Sequence, residues 1–236
     1  MSDGTYLGIA SAVEVVQYGK AAFMKLFGYW RSSASYRVRI ALNLKGIDVE
    51  HIPVNLRAGE QREDNYAKIN PQLLVPTLER EDGTRLTQSA AIIEYLEETV
   101  AGPALFPDDP LQRARVRSVM TLIGADTAPI QNLRVLKYLK GPLDLPQETV
   151  DDWARHWIAT GLTSLEKMTA SSSSSYLYTE TPTAADCFLI PQIYNARRYD
   201  IDMSAFPRLS EVEATCLALP AFDAARPENQ ADAPDE

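Results

Sequence analysis

Histidine is scarce in this sequence: His51 and His156 are the only two among 236 residues. A catalytic zinc site draws heavily on imidazole, and a serine hydrolase needs a histidine base beside its nucleophile. Both chemistries therefore have little material here. Cysteine is as scarce. Cys187 and Cys216 both fall in segments of helical pattern, make no disulfide framework, and fit a reducing cytoplasm. Positive charge is in deficit, with 23 Lys and Arg against 32 Asp and Glu and a net charge of −9. Nucleic acid and anionic membrane surfaces require concentrated positive charge, so neither is expected as a partner. An anionic substrate would have to be held by a local group of arginines. No apolar run approaches the ~20 residues that span a bilayer. The stretch "TYLGIASAVEVV" near the start is mildly apolar. It has no basic segment before it and is interrupted by Glu14, so it does not read as a secretory signal.

What is present is enough for a substantial core: 45% of the residues are hydrophobic. The regular pattern begins at Met24, and residues 1–23 are expected to be a partly disordered extension. Residues 24–30 read as a strand and Ala34–Lys45 as a helix. That helix has Tyr36, Ile40, Ala41 and Leu44 on one face, and Gly46 ends it. A second strand is expected over 49–56 and a short helix around 62–69. "PTLER" and "RLTQ" flank the Asp82-Gly83 turn as a hairpin, and a helix follows over 89–98. Residues 24–98 therefore read as βαβ, helix, ββα. A Pro-rich linker is expected over 99–110. Residues 111–225 read as all-helical, with helices near 111–140, 147–169, 183–198 and 208–218. Thr183-Ala-Ala-Asp186 has the form of a capping box. The tail, 226–236, is polar and reads as disordered.

A βαβ–ββα unit followed by helices is the layout of the cytosolic glutathione transferases. Five motifs occur in order: "RSSASYRVRIALNLKGID", "NPQLLVPTL", "TQSAAIIEYLEE", "QNLRVLKYL" and "TAADCFLIPQIYNARRYDID". Together they resemble the zeta class, which includes maleylacetoacetate and maleylpyruvate isomerases. The resemblance covers residues 24–225. It implies an α/β plus all-α fold: a thioredoxin-like domain with a mixed four-stranded sheet, then a helical substrate domain, in a homodimer that uses glutathione.

The physics of "KLFGYWRSSASYRVRIALNLKG" agrees. Unsatisfied amides and the helix dipole favour an anion at a helix N-terminus, and the same field lowers a thiol pKa. Ser32, Ser33 and Ser35 add hydroxyls to that turn, although serines there can also serve simply as caps. The turn has no thiol of its own, so the thiol must arrive with a ligand, and glutathione fits. Ser32 and Ser33 are the candidates to activate it. The resemblance implies that Pro76 is cis and that the Val75 backbone pairs with the cysteinyl amide of glutathione. Gln88 and Ser89, at the start of a helix, would take the γ-glutamyl carboxylate. Gln61 lies where the family contacts the glycyl end, and Asp126 where a γ-glutamyl amine can be reached. Animal zeta enzymes carry Cys at the position of Ala34, so no protein thiol contributes here.

Arg31, Arg134 and Arg198 sit where the zeta isomerases place substrate-binding cations. The planar guanidinium suits a carboxylate. Arg37 and Arg39 are assigned structural or surface contacts. The activity so implied is glutathione-dependent conversion of maleylacetoacetate to fumarylacetoacetate. The alternatives are maleylpyruvate isomerisation, transfer or dehalogenation acting on halo acids or aromatic catabolites, and a non-enzymatic glutathione-binding scaffold.

Overall fold

Leu26 and Phe27, in the middle of the first strand, point to opposite faces of one sheet and build two different cores. The computed structural model describes residues 24–234; the extension expected over 1–23 lies outside them. The chain runs β1 (Lys25–Gly28), α1 (Ser33–Lys45), β2 (Glu50–Pro53), α2 (Asp64–Ala67), β3 (Thr77–Glu79), β4 (Arg85–Thr87) and α3 (Ser89–Thr99). One 3₁₀ turn, Glu60–Arg62, precedes α2. The sheet order is β2-β1-β3-β4. β1 runs parallel to β2, with Lys25 opposite Glu50, and antiparallel to β3, with Phe27 opposite Thr77. β3 and β4 form the expected hairpin around Asp82-Gly83, with Leu78 opposite Leu86. This is the mixed four-stranded thioredoxin-like sheet, and the remainder is helical.

The helical part comprises α4 (Pro110–Thr121), α5 (Ala128–Ile130), α6 (Leu133–Lys140), α7 (Gln147–Thr169), α8 (Ala184–Arg198), α9 (Pro207–Leu217) and α10 (Pro220–Asp223). The single run expected over 111–140 is broken. Leu122–Thr127 forms a π-helical turn, and Asn132 caps a new helix by accepting from the Arg134 N–H at 3.2 Å. Pro129 contributes no N–H to carry the first helix onward.

The main core runs without interruption from the sheet into the helices. Leu26, Ile40, Leu78, Ile92 and Leu96 join Val116, Ile123, Ile158, Leu162, Phe188 and Ile193. Helix α1 is the joint. Every residue from Ser35 to Leu42 is buried, because α3, α8 and α10 all pack against this helix. That includes Arg37 and Arg39, so the surface alternative for these two does not hold. Gly46 closes α1 at φ +67°; its N–H reaches the Asn43 carbonyl and the Ile47 N–H reaches that of Leu42. The linker is packed as well. The Glu97 carboxylate accepts from the Leu105 and Phe106 N–H groups and pairs with Lys45 at 2.7 Å. At α8 the Thr183–Asp186 capping box forms, and the buried Asp186 carboxylate also accepts from the Leu177 N–H.

The tail departs from expectation. Over 226–234 it is not disordered but lies against the turn after β1. The Trp30 N–H donates to Asp232 at 2.9 Å, and Pro227 is buried. Arg39 ties the same region together, donating to the carbonyls of Ala225 and Trp30. Composition alone missed this because specific polar contacts, rather than apolar area, dock the segment.

Candidate active site

The serine turn is built by three local bonds. The Ser32 N–H returns to the Tyr29 carbonyl at 2.9 Å, forming a turn that ends β1. Ser32 is the N-cap of α1, and its hydroxyl accepts from the Ser35 N–H at 3.2 Å. That bond uses an oxygen lone pair and leaves the Ser32 hydrogen free to be donated. Ser33 begins the helix, half-buried. Ser35 points inward, buried, and accepts from the Tyr29 N–H at 3.4 Å. Two hydroxyls therefore face outward at this N-terminus rather than three. The only two protein thiols lie elsewhere: Cys187 and Cys216 are buried, and burial pushes both well up from the ordinary thiol range.

Three other segments carry the remaining ligand-binding candidates. Val75-Pro76 is a cis peptide, and Val75 precedes β3, beyond the last ladder pair at Thr77. Its backbone N–H and C=O are not consumed by the sheet. Gln88 adopts φ +69°, a region that non-glycine residues rarely occupy and that tends to be kept at ligand sites. It precedes α3, whose first turn holds no acidic residue. Ser89 is buried there and accepts from Arg37 at 3.3 Å. Gln61 is 9% exposed, and its Oε1 is buried without a partner.

The cations gather at the end of α8. Arg31 is half-buried. Burial first, then the charges of Arg198 and Arg57, pull its pKa below the usual arginine value. Its guanidinium lies 5.4 Å from the Trp30 ring. Arg198 is exposed and is steadied from behind: it donates to Asn195 Oδ1 at 2.9 Å, and Asn195 donates to Gln131 Oε1 at 2.8 Å. The tyrosines Tyr194 and Tyr199 flank the pair, and both feel the charges of Arg198 and Arg31. Among the described residues none of Arg31, Arg57 and Arg198 has a carboxylate partner, although the chain carries a net charge of −9. Neighbouring Arg197, by contrast, is paired with Glu213. A cavity of about 610 Å³ adjoins Arg198; Tyr36, Ile190 and Leu217 give it apolar wall, and its charge is mixed, with Arg197 and Arg226 paired to Glu213 and Glu228 and Arg198 left without a carboxylate partner among the described residues.

A helix N-terminus with hydroxyls, beside arginines without carboxylate partners, has the chemistry to hold anions. Residues 31–99 match the model of the glutathione S-transferase N-terminal domain. Maleylacetoacetate isomerase of Pseudomonas aeruginosa is 44% identical over 213 residues, which cover 89% of this chain and 99% of that protein. The chain belongs to the zeta class of the glutathione S-transferases. A holo structure of maleyl pyruvate isomerase, a bacterial zeta-class member, superposes with a TM-score of 0.87 at 40% identity, over 89% of this chain and all of that one. Maleylacetoacetate isomerase from Methylobacterium extorquens AM1, with bound malonate and glutathione, gives 0.87 at 39% identity with the same coverage of this chain and 100% of its own.

Against this family frame the expected residues divide. Ser32, Ser33 and Arg31 share one turn, and the charge of Arg198, on α8, is felt by Arg31. Val75 and Pro76 stand just before the internal strand β3, and Gln88 and Ser89 at the start of α3. Arg134 and Asp126 are exposed and carry no side-chain ion pair or hydrogen bond among the described residues, and neither is drawn to the Arg31–Arg198 pair. The motif "QNLR" does reach the cluster, but through Gln131, which holds Asn195. Arg57, Asn195, Gln131 and Tyr194 were missed by sequence reasoning. A signal existed for Asn195: it lies three residues before Arg198, so the two are neighbours on the helix surface.

Proposed function

We propose that this protein is a glutathione-dependent cis–trans isomerase that converts maleylacetoacetate to fumarylacetoacetate. The observation that carries the reading is the group of arginines without carboxylate partners, facing the Ser32–Ser33 helix start in an acidic protein. The residues present fit glutathione. The N-terminus of α1 and the two outward hydroxyls suit a thiolate, the N-terminus of α3 suits a carboxylate, and the Val75 backbone and Gln61 offer unconsumed polar groups. When bound, glutathione supplies a thiolate whose reversible addition turns the substrate's double bond into a single bond that can rotate.

The chain's own residues then have three tasks. Ser32 or Ser33 donates a hydrogen bond that keeps the sulfur ionised. Arg31 holds one substrate carboxylate beside it, and Arg198, kept in place by Asn195, holds the other end; Arg134, exposed on α6, is a third candidate. The same cations stabilise the charge that develops on the substrate's carbonyl oxygen during addition. The dicarboxylate malonate bound with glutathione in the Methylobacterium relative supports a diacid at this site.

Maleylpyruvate is the competing substrate, favoured by the likeness to the maleyl pyruvate isomerase structure. We further infer a cytoplasmic homodimer; the exposed apolar side chains Leu133, Tyr138, Leu143 and Trp153 support self-association. The test is absorbance loss of maleylacetoacetate and of maleylpyruvate, each with and without glutathione. Turnover that depends on glutathione and favours maleylacetoacetate is expected. Glutathione binding without turnover of either diacid would leave a scaffold or a transferase with other substrates.

A further inference from the structure

Arg37 is a buried charge with no acidic partner among the described residues. It is 4% exposed, and burial alone pulls its guanidinium down to about 10, with no acidic group acting on it. Its Nε is buried without a partner. One face rests on the Phe188 ring at 4.4 Å, and Nη1 donates to Ser89 Oγ at 3.3 Å. The packing makes room for it. A Cβ on Gly124 would lie 2.8 Å from Phe188 Cε1 and 3.7 Å from Arg37 Nη1, so any side chain there would press on the stack. Burying a guanidinium without a counter-ion is costly, and replacing such a group by an apolar one commonly stabilises a fold.

What lies in front of Arg37 is also positive. Ser89 opens α3, an eleven-residue helix whose first turn holds no acid and whose first amides have no intrahelical partner. Because Arg37 donates to the Ser89 oxygen, the Ser89 hydrogen must point away from it. A buried cation, a polarised hydroxyl and a helix N-terminus thus converge on one side of Ser89.

We propose that Arg37 is the buried counter-charge for the γ-glutamyl α-carboxylate of glutathione, acting through Ser89 as a positioning residue at the start of α3. This rests on the glutathione reading above. The carboxylate completes an ion pair that the free protein leaves open. Glutathione binding then relieves part of the cost of burying Arg37, and the protein is stabilised by its ligand more than contact area alone would provide.

The test compares glutathione with its analogue lacking that carboxylate, 4-aminobutanoyl-cysteinylglycine, by titration calorimetry. Wild type, Arg37→Met and Arg37→Lys are each measured. Wild type should prefer glutathione by about 10- to 100-fold, the range of a charge-assisted contact. Arg37→Met should shrink that preference to a few-fold by weakening glutathione binding while leaving the analogue nearly unchanged. Arg37→Lys should retain part of it. Thermal unfolding gives a second readout: without ligand, Arg37→Met should match or exceed the wild-type Tm, and its Tm gain with glutathione should be smaller. A preference unchanged in Arg37→Met, or an equal loss for both ligands, overturns the role of Arg37 alone. If wild type binds neither ligand, the glutathione reading falls and this proposal with it. If neither variant folds, Arg37 is a core residue and the proposal is wrong.

Discussion

Replacing Arg198 by glutamine removes one charge from the cluster while keeping a polar side chain of similar reach. Arg198 is exposed at the end of α8, so water screens it, yet Asn195 holds it in place at 2.9 Å. A hydrogen bond to a charged group is worth roughly 1.5–3 kcal/mol, and exposure puts this contact at the lower end. About 1.5–2 kcal/mol corresponds to a loss of roughly 10- to 30-fold in kcat/KM. A compensation limits the loss: Arg31 no longer feels the repulsion of Arg198, so it meets its own carboxylate with less competition. The assay is initial rate on maleylacetoacetate with glutathione saturating, with KM and kcat resolved. Most of the loss should fall on KM, and the glutathione Kd should be unchanged. Arg198→Lys should recover only part, because the fork geometry is gone. Asn195→Ala keeps the charge but frees it, and should cost a smaller factor of about 3–10, in the range of one neutral hydrogen bond. Wild-type KM and kcat in Arg198→Gln would make Arg198 a solvated surface cation and refute the diacid reading of this cluster.

Four further outcomes are expected. Ser32→Ala and Ser33→Ala should together cost at least 100-fold in kcat, with the larger single effect at the serine that touches the sulfur; two unaffected single variants would remove the serines from thiol activation. KM for the diacid should rise between 0.05 and 0.5 M salt, since exposed charges separate by screening over about 10 Å or less; a flat profile would speak against charge recognition. Deleting residues 226–236 takes away the Asp232 acceptor of the Trp30 N–H and should lower kcat more than it raises the glutathione Kd, measured on the purified truncated chain. Asp186→Ala strips the buried Thr183 and Leu177 N–H groups of their acceptor and should destabilise by roughly 2–4 kcal/mol in urea melts. A loss below about 0.5 kcal/mol would show that water replaces the carboxylate.

Local signals carried much of this structure. Gly46, the Asp82-Gly83 turn and the Thr183–Asp186 box each specify a backbone event within a few residues, and each is where the pattern put it. Helix α1 shows the opposite case. Its apolar residues mark one face, but three neighbours cover it, so burial extends to Arg37 and Arg39, which no helical period identifies. The break between α4 and α6 was visible in Pro129, yet the π turn before it depends on packing against α7 and α8. At the site, the serines and Arg31 were legible because they are adjacent in sequence. Arg198 needed the family resemblance, and Arg57 and Gln131 needed coordinates, since a hydrogen bond from residue 131 to residue 195 has no local trace.

Residue 232 contacts residue 30, and that contact has a temporal side. During synthesis the sheet and α1 leave the ribosome first, while the segment that fastens the Trp30–Ser32 turn follows 202 residues later. At 5–20 residues per second the interval is on the order of ten seconds. Through it the nascent protein holds a formed sheet with an unfastened serine turn, and Arg39 lacks the Ala225 carbonyl. Competence for chemistry would then arrive with that late contact rather than with folding of the sheet. A premature stop or a nick shortly before Asp232 would yield a chain that retains most of its core and has an impaired site.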